Sequence, residues 1–313
     1  MTSILEVPAS GTVTVPGTVE LELTGKCQLR CGHCLSDSGP EVPHGVMTLD
    51  DWKAVIDECA TLGVKLVQLI GGEPTVFPGW DKLVDHALSL SLGVEVFSNL
   101  YHVTAKGWRV LSQPGVTLGT SYYSVNAGEH DKVTTKPGSH ERTRANILEA
   151  VRRGIPIRAG VVGVHDGQLG RLAVTELLAL GVGHVTLDYA RGVGRAARST
   201  PTMDALCGNC ARGRLAILPD GSVVPCVIGR FLPTGNVRDG GLAPILASPE
   251  WAKMAASIPP RTTSRHGCPP NDSDECGPSD NVCVPQVTTM GGCPPNDSND
   301  CNPANTEACG PSY

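Results

Sequence analysis

The chain has 313 residues, of which 40% are hydrophobic and only 4% aromatic, so a sizeable core of aliphatic side chains is possible. The net charge is −6, and no basic stripe suggests binding to nucleic acid. No apolar run reaches the roughly 18 residues needed to cross a membrane, and no signal peptide is recognisable, so we expect a soluble protein of the cytoplasm.

Short β-type runs alternate with helical stretches from Val19 to about Tyr189. The predicted strands are Glu20–Leu23, Leu66–Ile70, Val94–Phe97, Thr117–Ser121, Ile157–Val162 and His184–Asp188. The predicted helices cover residues 49–62, 80–91, 105–112, 142–153 and 168–180. Thr48 is the expected N-cap of the first helix, with Asp51 in the capping-box position.

Six such units in order predict the α/β class, with a parallel sheet of right-handed crossovers closed partly or wholly into a (β/α)6 barrel of the TIM type. Sheets of this kind bind ligands at the carboxyl ends of their strands. We therefore expect each chemical motif to follow a strand directly.

The pattern changes after about Asp188. A Gly- and Arg-rich link at 191–202 precedes a small β unit at 207–237, in which Ala216–Leu218 and Ser222–Val224 flank a turn. Residues 243–256 suit one helix. From Arg261 on, Pro, Gly, Asn, Asp and Ser dominate, and such a composition cannot bury enough apolar surface to offset chain entropy.

This last stretch contains an internal repeat. The segment beginning Gly267-Cys268-Pro269 recurs 25 residues later, and each copy continues with two further cysteines. The clustered spacing of the 13 cysteines points to metal binding in a reducing compartment. A leaderless secreted protein stapled by disulfides is the alternative.

The strongest signal is Cys27-x3-Cys31-x2-Cys34, directly after the first strand. Three thiolates in so short a loop can hold three irons of a [4Fe–4S] cube, which leaves one iron open to a cofactor. A zinc or ferredoxin-type site is the alternative, with His33 as a possible fourth ligand.

This loop resembles the signature of the radical S-adenosylmethionine (SAM) superfamily. The resemblance implies that the open iron binds SAM and that His33 lies beside the adenine. Gly71-Gly72-Glu73-Pro74, after the second strand, is similar to the family's GGEP motif. It implies that the two glycines approach the methionyl amine of SAM and that Glu73 accepts a hydrogen bond from it.

Weaker similarities follow in chain order. Ser98 and Asn99, after the third strand, resemble the residues of the family that contact the ribose of SAM. Ser121, at the end of the fourth strand, resembles a serine that meets the carboxylate of SAM, and Arg158 on the fifth strand is a possible second partner.

The resemblance covers a core domain at residues 18–195, after an N-terminal extension at 1–17. It implies that a reduced cluster cleaves SAM and that the resulting 5′-deoxyadenosyl radical takes a hydrogen atom from the substrate. It also implies a one-electron donor protein such as flavodoxin or ferredoxin.

A second unit, predicted at residues 203–260, begins with Cys207-x2-Cys210 and continues to Cys226. It resembles the SPASM or twitch accessory domain, which holds one or two auxiliary [4Fe–4S] clusters; a zinc knuckle is the alternative. The usual later cysteines are absent, so we expect the tail at 261–313 to supply Cys268, Cys276 and Cys283 as ligands. Cys293, Cys301 and Cys309 have no assigned role.

SPASM-type enzymes mostly modify ribosomally made peptides, so crosslinking, epimerisation or oxidation of a peptide is the predicted reaction. An epimerase or dehydrogenase acting on a sugar or aminoglycoside is the first alternative, and a non-catalytic metal-binding protein is the second. About 18 residues precede the first strand, so we expect the leader peptide to be bound elsewhere or by a separate leader-binding protein. Five residues after the fourth strand either line a substrate site or form a solvated loop: Tyr122, Tyr123, His130, Asp131 and Arg142.

Overall fold

Six parallel strands alternate with helices in residues 15–260, the part of the chain that this computed structural model describes. In chain order the elements are β1 (Thr18–Glu22), α1 (Leu49–Leu62), β2 (Leu66–Ile70), α2 (Trp80–Ser89), β3 (Gly93–Phe97), α3 (Ala105–Leu111), β4 (Val116–Tyr122), α4 (Ala127–Thr134), α5 (Ser139–Arg152), β5 (Ile157–Gly163), α6 (Gly170–Ala179) and β6 (His184–Tyr189). A smaller unit follows, with β7 (Arg214–Ile217), β8 (Ser222–Val224), β9 (Gly235–Asn236), α7 (Leu242–Leu246) and α8 (Pro249–Ser257).

All nine of these strands belong to one sheet, in the order β6-β5-β4-β3-β2-β1-β7-β8-β9. The strands from β6 to β7 are parallel, and β8 and β9 complete the sheet as antiparallel strands. Since β1 pairs with β2 and β7, the described sheet is a partial barrel that is not closed between β1 and β6. The predicted α/β class and partial barrel are confirmed.

The two faces of β1 show how the sheet positions a site. Val19 and Leu21 are fully buried in the main hydrophobic core, together with Trp52 of α1. Because side chains alternate along a strand, Glu20 and Glu22 point to the opposite face, which is the inside of the partial barrel. The helices therefore cover an apolar outer face, while the inside carries polar and charged groups.

Most of the predicted elements are confirmed with small shifts at their ends. Thr48 caps α1 in a complete capping box with Asp51. The hairpin of β7 and β8 has the predicted pairing, with Ala216 opposite Val224. Helix α4 was not predicted, because its eight residues carry only a weak apolar pattern.

The single helix predicted for residues 243–256 is wrong. The chain forms two helices there, α7 and α8. Ser248 lies between them in an extended conformation, and its side chain accepts a hydrogen bond from the backbone N–H of Trp251. Pro249 follows at the first helical position, where its missing N–H costs nothing. These are the signals of a new helix start.

Within residues 15–260, none of the helices combines the length and the hydropathy that spanning a membrane requires.

Candidate active site

The three cysteines of the predicted cluster loop lie just beyond the carboxyl end of β1. The backbone N–H of Cys27 bonds to the carbonyl of Gly39 at 3.1 Å, and the N–H of Cys34 bonds to the carbonyl of Cys31 at 3.2 Å. The end of α4 holds the middle of the loop, because the N–H of Gly32 bonds to the carbonyl of Val133 at 3.1 Å. These bonds fix the loop over the mouth of the partial barrel.

All three cysteines line one cavity at this mouth. Its wall includes other residues that the sequence singled out: His33, Gly71, Gly72, Asn99 and Ser121. Apolar side chains from the strands β2, β3 and β5 and from two loops form much of the remainder, among them Leu29, Leu35, Ile70, Phe97, Val162, Val227 and Ile228.

Burial makes the thiols of Cys27 and Cys31 weaker acids. It raises the pKa of Cys31 to about 12 and also raises the pKa of Cys27. The negative charge of Cys34 adds to both effects. Thiolates so close together need a compensating positive charge, which iron in a cluster provides.

His33 lies on the cavity wall with its ring edge-on to Tyr123, at a centroid distance of 5.0 Å. Burial lowers its pKa to about 4, so the imidazole is neutral at pH 7. Its Nδ1 atom is buried and has no hydrogen-bond partner among the described residues. A neutral ring with an unpartnered nitrogen could pack beside an adenine and bond to it. The predicted contact of His33 with the adenine of SAM remains a prediction.

Gly71 and Gly72 permit a close approach between β2 and the start of the cluster loop. A Cβ atom on Gly72 would overlap the carbonyl oxygen of Lys26, and one on Gly71 would lie 2.6 Å from that of Thr24. Gly71 also has a φ of +139°, which side chains disfavour. The predicted approach to SAM is untested, but the glycines are needed to bring the two loops together.

Glu73 is fully buried and is not part of the cavity wall. Its Oε1 accepts hydrogen bonds from Thr75 Oγ1 at 2.7 Å and Ser98 Oγ at 2.9 Å, and its Oε2 accepts one from the N–H of Asn99 at 2.9 Å. Pro74 starts a short 3₁₀ turn after it. The carboxylate therefore ties the end of β2 to the end of β3, and its predicted contact with SAM remains a prediction.

Ser98 and Asn99 separate in the structure. The Ser98 hydroxyl is buried against Glu73, away from the cavity. Asn99 lines the cavity, and its Nδ2 lies 3.5 Å from the sulfur of Cys27. Of the two predicted ribose contacts, Asn99 has the exposure to the cavity that the role requires.

Ser121 and Tyr123 face the cavity from the end of β4. Tyr123 lies beside the side chains of Ser121 and Cys31, and burial raises the pKa of its hydroxyl. Tyr123 therefore lines the cavity, which was one of the two possibilities for the residues after the fourth strand. Tyr122 points to the outer face, where its hydroxyl lies 2.7 Å from Nε2 of His140.

Arg158 does not line the cavity. Its guanidinium makes two hydrogen bonds of 2.7 Å to the carboxylate of Glu95, and both side chains are at most 10% exposed. It also lies against the ring of Phe97. The guanidinium is therefore engaged away from the cavity wall, and its predicted contact with the SAM carboxylate stays a prediction.

Four charged residues on the cavity wall were not predicted from the sequence: Glu22, Asp188, Arg191 and Arg195. Glu22 is 2% exposed and pairs with Arg230, and Asp188 pairs with Arg191. The signal for Glu22 was present, since Glu20 and Glu22 alternate with apolar residues in β1. That spacing places two acids on one buried face.

The second group of cysteines lies in the smaller unit. Cys210 and Cys226 are buried with their sulfur atoms 2.8 Å apart, and Cys207 is partly exposed. The N–H of Gly229 donates to the sulfur of Cys226 at 3.2 Å. The expected further ligands, Cys268, Cys276 and Cys283, lie outside the described residues. Within 15–260, no three His, Cys, Asp or Glu side chains are arranged to hold a single metal ion.

Comparison with protein families agrees with this geometry. The family model described as "Radical SAM superfamily" matches residues 21–171, and the SPASM model, described as "Iron-sulfur cluster-binding domain", matches residues 204–273. The chain therefore contains a radical SAM domain, followed by a SPASM domain.

Curated proteins share parts of this radical SAM chain. It is 35% identical over 139 residues to the AdoMet-dependent heme synthase of Methanosarcina barkeri, a match that covers 44% of this chain and 40% of the relative. It is 42% identical over 155 residues to the mycofactocin maturase MftC of Mycobacterium tuberculosis, covering 49% and 39%. The chain thus spans about 40% of the length of these relatives.

A solved structure shares the fold. SuiB of Streptococcus suis, bound to S-adenosylmethionine, matches with a TM-score of 0.66 and 14% identity over 77% of this radical SAM chain and 68% of SuiB. The same protein bound to the precursor peptide SuiA gives the same TM-score.

A [4Fe–4S] cluster and SAM are the cofactors of a radical SAM domain, and the SPASM unit binds iron–sulfur clusters. The residues present fit them. Three thiols share one cavity, and the orphan Nδ1 of His33 is beside it. Cys27, Cys31 and Cys34 would hold three irons, with Gly71, Gly72, Asn99 and Ser121 on the adjoining wall.

Proposed function

We propose that this chain is a radical SAM enzyme that modifies a ribosomally made peptide by crosslinking, epimerisation or oxidation. One observation carries the proposal: three cysteine thiols and the Gly71-Gly72 turn face the same cavity at the carboxyl ends of parallel strands. The peptide substrate is supported by the relative MftC, which is named a maturase and is 42% identical over 155 residues.

The bound cluster and SAM supply one-electron cleavage of the sulfonium and abstraction of a hydrogen atom from the substrate. The protein's part is to position the substrate and to exclude water. Ile70, Phe97 and Val162 present apolar surface in the cavity, and Tyr123 closes the wall beside the cluster loop. Glu22 and Asp188, each paired with an arginine, add charged groups to this wall.

Asn99, Ser121 and His33 are the chain's candidate contacts for the sugar, the carboxylate and the adenine of SAM. All three line the cavity, whereas Glu73 and Arg158 support its walls from outside. This division is a proposal about binding and orientation, and it makes Asn99, Ser121 and His33 the first positions to test by SAM titration.

The accessory unit completes the proposal. Cys207, Cys210 and Cys226, with Cys268, Cys276 and Cys283 of the tail, would hold one or two auxiliary [4Fe–4S] clusters. A cytoplasmic one-electron donor such as flavodoxin or ferredoxin would reduce the enzyme, and a separate leader-binding protein would present the peptide.

The test begins with reconstituted protein under anaerobic conditions, with SAM and dithionite. We expect 5′-deoxyadenosine to form with the wild-type protein and not with the Cys31→Ala variant, and Cys59→Ala is the matched control because Cys59 is buried in α1 away from the cavity. If both cysteine variants and the wild type give equally little product, catalysis is refuted.

A second assay identifies the substrate class. A precursor peptide encoded beside this protein's gene is incubated with the enzyme in heavy water and analysed by mass spectrometry. A mass change of the peptide or uptake of deuterium supports peptide maturation. An unchanged peptide together with 5′-deoxyadenosine formation contradicts it.

Radical chemistry on a small molecule is the second candidate. The heme synthase relative, 35% identical over 139 residues, favours it because its name specifies a product that is not a peptide. Stimulation of 5′-deoxyadenosine formation by a sugar, aminoglycoside or tetrapyrrole, with no stimulation by the peptide, would select this candidate.

A further inference from the structure

The link after β6 passes directly over the cluster loop. We call Gly194 and Arg195 of this link the linker clamp. The backbone N–H of Arg195 donates to the carbonyl of Cys34 at 3.0 Å. Its side chain donates from Nε to the carbonyl of Cys31 at 2.8 Å and from one terminal nitrogen to the carbonyl of Ser38 at 2.6 Å. Two of these acceptors are the carbonyls of cluster-loop cysteines.

Gly194 makes this approach possible. A Cβ atom at this position would overlap the carbonyl oxygens of both Cys34 and Leu35, and these are backbone atoms that cannot rotate away. Its φ of +58° is also in the left-handed region. Gly192, two residues earlier, has open space around its Cβ position. The close contact is therefore specific to Gly194.

The linker clamp complements the other anchors of the loop. The end of α4 holds Arg30 and Gly32 through the carbonyls of Thr134 and Val133. Those bonds reach the first half of the loop, and the linker clamp holds its second half, from Cys31 to Ser38. Without Arg195, the carbonyls of Cys31 and Ser38 would lose charge-assisted hydrogen bonds, which are stronger than neutral ones.

Arg195 also brings a permanent charge to the cavity. It lines the same cavity as the three loop cysteines, and its guanidinium carries a positive charge. A cluster that accepts an electron gains negative charge in a poorly solvated place. A nearby positive charge stabilises that reduced form more than the oxidised form.

We propose that Gly194 and Arg195 are positioning residues for the SAM-binding cluster, which hold the loop in its ligating conformation and favour the reduced state of the cluster. The inference needs the cluster at Cys27, Cys31 and Cys34, but it is independent of the substrate proposed above. Because the linker leads from β6 to Cys207, the clamp also connects the accessory unit to the cluster loop through the chain.

The experiment compares matched variants of the full chain, reconstituted anaerobically and studied without substrate. Arg195→Gln is paired with Arg198→Gln, since Arg198 is exposed and belongs to the same linker. Gly194→Ala is paired with Gly192→Ala. The EPR signal that changes when SAM is added identifies the cluster in question and separates it from auxiliary clusters.

We expect Arg195→Gln and Gly194→Ala to lose this cluster to a chelator about tenfold faster than their controls. In a redox titration, Arg195→Gln should reduce at a lower potential than Arg198→Gln, and Arg195→Lys should recover the potential but not the retention, because an ammonium lacks the guanidinium fork. Circular dichroism establishes that each variant is folded.

Equal rates of loss in each pair would overturn the positioning role. An unchanged potential in Arg195→Gln would overturn the electrostatic role even if the loss is faster. Since neither measurement uses a substrate, a failure here is distinguishable from a failure of the proposed peptide maturation.

Discussion

Glu73 shows how the role of a single motif residue depends on its surroundings. The tetrapeptide predicts an acceptor for the amine of SAM, whereas in the structure both carboxylate oxygens accept hydrogen bonds from Thr75, Ser98 and Asn99. Burial raises the pKa of this carboxyl group, and these hydrogen bonds act in the opposite direction. The residue joins the two loops on which Gly72 and Asn99 face the cavity.

We predict that Glu73→Gln lowers the free energy of unfolding by about 1–3 kcal/mol, because the amide places a donor against one of the present donors. Urea denaturation gives the stability, and calorimetric titration with SAM gives the affinity, which should fall as the loops loosen. The control is Glu250→Gln at an exposed site on α8. Full stability of the Glu73 variant would contradict the role as a tie between β2 and β3.

His130 is buried among aromatic rings, with the centroids of Tyr122, Tyr123 and His140 at 5.0–5.3 Å. Its pKa is lowered to about 4, mainly by burial and also by the charge of His140, while Asp131 acts in the opposite direction. The folded pKa is below the ordinary value of 6.5, so the unfolded chain binds more protons between these values. The stability from neutral His130 is present above pH 6.5 and is lost as the pH falls towards 4.

We predict that His130→Phe, which keeps a ring in place, loses less stability than the wild type when the pH falls from 7.5 to 5.5. The difference should be about 1.4 kcal/mol. Urea denaturation at pH 7.5 and at pH 5.5 measures this difference. The control variant His165→Phe, at an exposed site, should lose as much stability between the two pH values as the wild type. Burial also lowers the pKa of His33, so part of the dependence of stability on pH should remain in the His130 variant. Identical slopes for His130→Phe and the wild type would refute the assignment.

Among the structural elements, the segment from Cys226 to Arg230 joins the accessory unit to the barrel. Cys226 belongs to the second group of cysteines, and Val227 and Ile228 line the cavity. The N–H of Val227 donates to Glu20 at 3.1 Å, and Arg230 donates two hydrogen bonds to the carboxylate of Glu22. Five consecutive residues therefore connect the auxiliary site, the cavity wall and β1.

We predict that Arg230→Met destabilises the protein by about 3–5 kcal/mol, because it leaves the carboxylate of Glu22 buried without its partner. Glu22 is 2% exposed, so solvent cannot replace the guanidinium. Urea denaturation should show that the double variant Glu22→Gln/Arg230→Met recovers part of this loss. A double variant as unstable as the sum of the two single variants would contradict direct coupling.

For the whole molecule, two separate groups of cysteines imply two separate iron sites. We predict that the triple variant Cys27→Ala/Cys31→Ala/Cys34→Ala keeps roughly four irons and four sulfides per auxiliary cluster. Iron and sulfide analysis of anaerobic protein measures this, and SAM should no longer affect its EPR spectrum. Additional replacement of Cys207, Cys210 and Cys226 is the control and should remove the remaining iron. A triple variant without iron would contradict an auxiliary cluster.

Much of the fold and part of the site could be predicted because their signals are local. The alternation in β1, the cap at Thr48 and the Cys27-x3-Cys31-x2-Cys34 spacing involve residues that are neighbours in the sequence. Motifs placed after strands also meet automatically, since parallel strands end at one edge of the sheet. This is why Asn99 and Ser121 reach the same cavity as the cysteines.

The amino-acid sequence by itself determined the partial barrel, the cluster loop and the existence of a second cysteine unit. Only the tertiary structure decided that Glu73 and Arg158 support the walls and that Arg230 covers Glu22. It also decided that Arg195 bonds to the carbonyl of Cys31 across 164 positions of sequence. The physical reason is that an arginine can pair with any accessible acceptor, and only the packing of the linker and the barrel selects one.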